Sequence, residues 1–317
     1  MTERRYPAIV IDHESLRHNV KTICDWCDDT GIFVAGVIKG ANGILSVAED
    51  YVAGGAKMIA SSRMEQLKRC REGNIGVPLL MIRVPMLSEL DELVQVADCS
   101  LNSELVTLRA LDKAAEAHGV VHNVVLMADL GDLREGYFNY DELVETAETV
   151  ERELPHLHLA GIGTNLGCYG SVMATEDKMQ ELADLAIRVE KSIGRELEIV
   201  SGGATSSLMG VFGGYMPEKI NMLRIGAAAL AGSLEDMRVC YGYSEMDALR
   251  DDAFTLEAQV VEVKKKASHP IGQLGVDAFG KKQTYVDRGE RTRALVAVGR
   301  ADYGEISDLV PTIEGME

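Results

Sequence analysis

The chain has 317 residues, 46% of them hydrophobic and 26% charged, with a net charge of −18 at pH 7. Such a chain can bury a large core and has room for one large domain and a smaller one. Its acidic balance argues against a phosphate-backbone binder, so no nucleic-acid partner is expected. No apolar run reaches the roughly 18 residues that suggest a membrane span, and charge interrupts the opening MTERRYPAIVIDHESL where a signal peptide would be apolar. Six scattered cysteines do not form a disulfide framework, which points to a reducing cytoplasm.

In chain order, YPAIVID reads as a strand and precedes an amphipathic helix with Leu16, Val20, Ile23 and Cys27 at helical spacing. Cys24 and Cys27 make a Cys-x-x-Cys pair, but no second pair exists to complete a four-thiolate zinc site. Core packing is the better reading, and no metal is expected. From residue 32 to 232 eight short apolar runs follow: IFVAGVIK, KMIASS, PLLMIRV, CSLNS, NVVLMADL, HLAGIGTNL, LEIVSGG and MLRIGAAALAG. Between them lie stretches of helical period such as MEQLKRCREG, ELVTLRALDKAAEAHG and DKMQELADLAIRVEKSIG. Continuous apolar strands with helical crossovers imply a parallel sheet covered on both faces. Eight such units fit a closed (β/α)8 TIM barrel of the α/β class.

Beyond residue 250 the pattern changes. FTLEAQVVEVKKKA and QTYVDRGERTRALVAVGRA alternate as strands do, with turn residues and no long helix, so a small antiparallel β domain is expected. The first strand is surplus to the barrel and is free to join it. The expected boundaries are 13–240 for the barrel and 1–12 plus 241–317 for the β domain, with the acidic stretch LEDMRVCYGYSEMDALRDD between them.

Barrel enzymes carry their chemistry at the carboxy-terminal ends of the strands. Those ends deliver Lys39, Arg83, Asn102 and Arg134, then Thr164, Asn165, Cys168 and Tyr169, then SGGATSS, and last Arg224 in LRIGAA. A lysine at a strand end is either a solvated rim charge or a partly buried amine competent to form an imine. The small residues of SGGATSS and RIGAA let backbone N–H groups close around an anion, with the Thr205 and Ser206 hydroxyls as further donors. A phosphate cup and a lysine in one barrel mouth are a more specific combination than either alone.

With these residues in place, the chain resembles the alanine racemase fold type of pyridoxal-phosphate enzymes (fold type III), and within it the branch of ornithine racemase and related amino-acid racemases. GVIKG, RVPMLSE, SLNSE, MADLGDLREG, GIGTNLGCYG, SGGATSSL, LRIG, DAFTLEA and PIGQLGVDAFG carry the resemblance, in family order. It implies pyridoxal 5'-phosphate as cofactor and Lys39 as the imine lysine, which also exchanges a proton with one face of the substrate α-carbon. Arg224 corresponds to the arginine facing the pyridine nitrogen, which should therefore stay unprotonated and make the ring a weaker electron sink. Thr205, Ser206, Gly226 and Ala227 match phosphate-binding positions. Arg134 matches the arginine near the phenolic oxygen and the substrate carboxylate, and Asn165 stands where classical alanine racemases have a ring-stacking histidine.

The implied reaction is racemisation of a free amino acid through an external aldimine, by a homodimer. Classical alanine racemases take their second acid/base, a tyrosine, from the partner's β domain. Here that region reads PIGQLGVDAFG without a tyrosine, which leaves Asp277, Tyr169, Cys168 and Tyr303 as candidates. Asp277 could equally cap a turn, Tyr169 pack, and Cys168 fill a small buried space. The tyrosine that follows the lysine in those enzymes is absent from KGANG, so alanine is not the expected substrate. The acidic charge mildly favours a cationic amino acid such as ornithine or lysine. Arg83 would favour an acidic one if it faced the pocket, or else pair with a nearby carboxylate. The chain ends at PTIEGME, where relatives continue, so the β domain is expected to be abbreviated or truncated. The competing readings are a cofactor carrier without turnover and a lyase of the same fold type. The zinc-dependent lyases use His and Cys in the β domain, where this chain has only His269.

Overall fold

The computed structural model describes residues 5–232, 236–304 and 311–312. It divides into two units: Asp12–Ala253, and Met1–Ile11 together with Phe254–Glu317. In the larger unit eight strands form a closed parallel barrel in chain order. After β1 (Ala8–Ile11), which lies outside it, the barrel strands are β2 (Phe33–Val37), β3 (Met58–Ser61), β4 (Leu79–Met81) and β5 (Cys99–Asn102). They continue with β6 (His122–Ala128), β7 (Leu157–Thr164), β8 (Ile199–Ala204) and β9 (Met222–Ile225). Pairing of β9 with β2, from Phe33 opposite Met222 to Gly36 opposite Ile225, closes the ring.

All eight expected strands are present, and period two decides what fills the barrel. Ala35 and Val37, Met58 and Ala60, Cys99 and Leu101, and Val125 and Met127 alternate inward and pack with Leu80 and Met222. Outside, the crossover helices bury the stripe their spacing predicts. The first, His13–Asp28, starts at Asp12, whose carboxylate accepts from the amides of Glu14 and Ser15. It buries Leu16, Val20, Ile23, Cys24 and Cys27. Burial pushes both thiols up to about 12, which suits packing and not redox work.

The smaller unit holds two antiparallel pairs. The first strand indeed leaves the barrel: β1 pairs with β10 (Phe254–Glu257), Ala8 opposite Glu257. The second pair joins β11 (Val260–Ala267) to β12 (Glu290–Val296), with a register shift between Val260 and Glu262. The alternating stretch QTYVDRG is not a strand, because Asp287 accepts from the Gly289 amide and the Ser268 hydroxyl and so ties it into a turn. A short helix, Arg300–Tyr303, follows. The expectation that the β domain is abbreviated or truncated concerns residues that lie, apart from 311–312, outside the described residues.

Residues 241–253 belong to the barrel unit and not to the β domain expected from sequence. Met246 and Leu249 are buried, and Asn19 clamps the segment: its amide donates to Arg250 O and its carbonyl accepts from Arg250 N, both at 2.7 Å. That anchor lies about 230 residues upstream, so no local pattern announces it. Among the described residues, no helix is long and apolar enough to cross a membrane.

Buried His122, with Nε2 2.9 Å from Ser100 Oγ, is pushed down from 6.5 to about 4 by burial, against the opposing charge of Asp98. The unfolded chain therefore binds a proton that the folded one refuses, so stability is full above about pH 6.5 and falls as pH drops toward 4. Denaturant unfolding from pH 7 to 4 should show His122→Gln losing about 3 kcal/mol less than the wild type; equal losses would place the acid sensitivity elsewhere.

Candidate active site

The carboxy-terminal mouth of the barrel opens into a cavity of about 410 Å3, within the range of small-ligand sites. Lys39, Arg134, Asn165, Cys168, Thr205, Ser206, Arg224, Gly226 and Ala227, all expected at the site, line it together with Tyr241. Arg224 takes the next inward position after Met222 on β9, just above the apolar interior, and is only 3% exposed. Its guanidinium donates to Thr164 O at 2.9 Å, to Asn165 Oδ1 at 3.4 Å and to Ser201 Oγ. Burial pushes its pKa down to about 10; Glu135 opposes that shift and Arg134 adds to it. It still carries its charge at neutral pH.

Lys39 follows β2 by two residues and begins a 3-10 turn, Lys39–Ala41. Its side chain lines the cavity but is exposed, so the burial expected for a desolvated amine is not supplied by the barrel alone. The turn ends at Asn42 with φ 51°, and Gln66 Nε2 donates to the Asn42 side-chain oxygen at 3.2 Å.

The phosphate-cup residues come from two turns. After β8, Thr205–Ser207 form a 3-10 turn that runs into the helix Leu208–Phe212. After β9, Gly226 caps the helix Ala227–Ala231. The first amides of such turns have no partner within them and can face an anion. Thr205 Oγ1 accepts from the Ala228 amide at 3.5 Å and keeps its own hydrogen to donate. Ser206 differs from expectation: its hydroxyl donates to Leu166 O at 2.9 Å and ties the cup to the neighbouring loop. A Cβ on Gly226 would come within 3.1 Å of Val37, so only glycine lets these backbones approach freely.

Two aspartates in MADLGDLREG, absent from the residues expected at the site, order the far rim. Asp129 accepts from the amides of Gly131 and Leu133 at 2.9 and 3.0 Å and shapes the turn that delivers Arg134. Fully buried Asp132 accepts from Gly167 at 3.1 Å, Tyr169 at 3.0 Å and Val172 at 3.1 Å. Burial works to raise its pKa, but these amides and that of Gly170 outweigh it and hold the carboxyl below its usual value. Arg134 is gripped by both carboxylate oxygens of Glu135, one at 2.6 Å, and this hydrogen-bonded partner raises its pKa. Short polar residues in a glycine-rich turn are the signal that would have found both aspartates.

Other expected residues lie elsewhere. Tyr169 is 71% exposed and is not among the lining residues. Arg83 pairs with Glu89 at 2.8 Å and donates to the Ser62 and Val84 carbonyls, so it does not face the pocket. Asp277 belongs to the smaller unit, where its carboxylate accepts from Phe279 N, Lys281 N and Gln283 Nε2. The Gln283 bond first, then the amides, hold its carboxyl below the usual range. Tyr303 ends the short helix of that unit.

Residues 11–233 match the family model described as alanine racemase, N-terminal domain. The chain belongs to that family. Ornithine racemase from Acetoanaerobium sticklandii is 39% identical over 312 residues, covering 98% of this chain and 86% of that one. Lysine racemase from Thermotoga maritima is 34% identical over 313 residues, covering 98% and 85%. Kinship of this depth along nearly the whole length makes the chain an amino-acid racemase. Among solved structures, alanine racemase from Streptomyces lavendulae superposes with a TM-score of 0.73 at 20% identity, over 95% of this chain and 76% of that one. That likeness is one of fold: a barrel followed by a small β domain.

In this family member Asp132 is the residue whose loss should disturb the rim most. Asp132→Ala should lower unfolding stability by about 2–3 kcal/mol and speed amide exchange at Gly167, Tyr169 and Val172, read by hydrogen–deuterium exchange. Unchanged exchange at those amides would refute the anchoring role.

Proposed function

We propose that this racemase holds pyridoxal 5'-phosphate in the barrel mouth and interconverts the two forms of a free amino acid with a cationic side chain, ornithine or lysine. The observation that carries the proposal is the convergence of Lys39, Arg224 and the Thr205 and Gly226 turns on one cavity. The residues fit the cofactor on their own chemistry. Arg224 and Cys168 both face Asn165 Oδ1, which fixes the amide orientation and leaves the buried Nδ2 donor without a partner. An acceptor on a bound ring would satisfy it. Thr205, with the first amides of the two turns, suits a phosphate.

When bound, pyridoxal phosphate withdraws electrons from the substrate α-carbon and makes its proton acidic. The protein's part is to hold, orient and exchange protons. Lys39 supplies the amine that carries the cofactor and takes or returns a proton at the α-carbon. Arg224 would hold the cofactor's pyridine nitrogen as a cation, a group that can donate a hydrogen bond to that atom but cannot accept one. Arg134 is the cation for the substrate carboxylate, and Glu135 sets its direction. The cationic substrate is supported by the two racemases this chain matches over its length and by its net charge of −18.

A homodimer is supported by the β11–β12 pair, which leaves Val261, Val263 and Leu295 exposed. Two-stranded sheets are marginal without a covering surface. All six cysteines are free and four are buried, in keeping with a cytoplasmic setting.

Reconstituted wild type should show the long-wavelength absorbance of a lysine-bound pyridoxal and racemise L-ornithine or L-lysine when each of the twenty common L-amino acids and ornithine is supplied. Lys39→Ala should lose that absorbance and lower racemisation by about 1000-fold or more. Absorbance without turnover on any of these would convert the reading to that of a cofactor carrier.

A further inference from the structure

Racemisation needs a proton donor on each face of the α-carbon, and Lys39 can serve only one. Of the described side chains that line the cavity, Lys39, Cys168 and Tyr241 are of the types that serve as general acid or base, because arginine does not give up its proton. We propose that Cys168 is the second acid/base, a catalytic thiol facing the substrate from the side opposite Lys39. The proposal rests on the racemase reading above.

Four observations carry it. First, the strand order puts the two groups across the mouth from each other. Lys39 follows β2, whereas Cys168 follows β7, three strands away around the ring of eight. Second, the backbone that carries the thiol is held in place. The amides of Gly167 and Tyr169, on either side of Cys168, both donate to the buried carboxylate of Asp132. Such fixing of a reactive group by a supporting partner is what a preorganised site requires. Third, the sulfur lines the same cavity as Arg134 and Arg224 and lies within electrostatic reach of both. Fourth, it sits 3.8 Å from Asn165 Oδ1, beside the buried and unpartnered Nδ2 that marks where a ligand belongs.

The alternatives are less suited. Asp277 is held below the usual carboxylate range and is a poor proton donor at neutral pH. Tyr169, although next in sequence, turns its side chain out to solvent.

The proton balance closes. In one direction the Cα–H bond breaks and its proton goes to Lys39 Nζ, while the electron pair stays with the substrate carbon. The S–H bond of Cys168 then breaks, its proton forms the new Cα–H bond on the opposite face, and its electron pair remains on sulfur. In the other direction the thiolate takes the α-proton and the Lys39 ammonium returns one. Solvent exchange resets both groups.

The test follows each α-hydrogen separately. Wild type, Cys168→Ala, Cys168→Ser and Tyr241→Phe holoenzymes are incubated in deuterated buffer with L- and D-ornithine, and with L- and D-lysine, and analysed by NMR and chiral chromatography. Wild type should exchange and invert both forms. Both Cys168 variants should keep the cofactor absorbance, still exchange the α-hydrogen of one enantiomer with retention, and lose inversion by about 100-fold or more. The assignment is overturned if Cys168→Ala inverts within about threefold of wild type. It is equally overturned if exchange stops for both enantiomers with the absorbance intact, or if Tyr241→Phe alone gives the one-sided pattern. A wild type that exchanges none of the four probes would bring down the ornithine-or-lysine substrate reading, a distinct result. Because a variant can fail to fold, alkylation of wild type by iodoacetamide provides an independent readout. Pyridoxal phosphate with ornithine should protect Cys168 and leave Cys240, also exposed, equally reactive; unprotected Cys168 would overturn the assignment.

Discussion

Closing eight parallel strands into a ring leaves an interior packed with side chains and closed to water. Arg224 takes the first position above that packing, where a guanidinium must replace lost hydration with protein acceptors. Ser201 on β8, Thr164 at the end of β7 and Asn165 just beyond it supply them. One buried cation thereby ties three neighbouring parts of the mouth together. It also fixes which end of Asn165 remains free. The orientation of the cavity's most informative donor follows from this one set of bonds.

The cavity's charge is built outward from the same point. Lys39 and Arg134 add positive charge at the rim, and Glu135 removes one unit through its two-oxygen grip on Arg134. The balance stays positive inside a molecule that is acidic as a whole. A site of this kind favours a phosphate and a carboxylate together, while the outer field does not repel a cationic side chain. Strand ends deliver the rigid groups, and buried carboxylates give the loops comparable order. Asp129 shapes the turn before Arg134, and Asp132 gathers the loop that carries Cys168.

Relatives show how these layers separate. The alanine racemase from Streptomyces lavendulae shares the barrel at 20% identity, which strand period and closure alone can sustain. Ornithine and lysine racemases match to 39% and 34%, and across nearly the full chain. On this chain's barrel, Asn165, Cys168 and Glu135 stand at the rim beside Arg224 and Arg134.

Much of this was legible from the residues in order. The eight strands, the surplus first strand, the helical stripes and the positions of Lys39, Arg134 and Arg224 all follow from local periodicity and from the rule that barrel chemistry sits at strand ends. Polar partners were not legible, because they join residues distant in sequence. Residues 241–253 were claimed by Asn19, and Tyr241 entered the cavity. Asp132 reached some 35 residues ahead to hold the Cys168 loop. A strand's face is set by its own alternation, but a hydrogen bond exists only once two segments have been brought within about 3 Å of each other, and that meeting is decided by the tertiary fold.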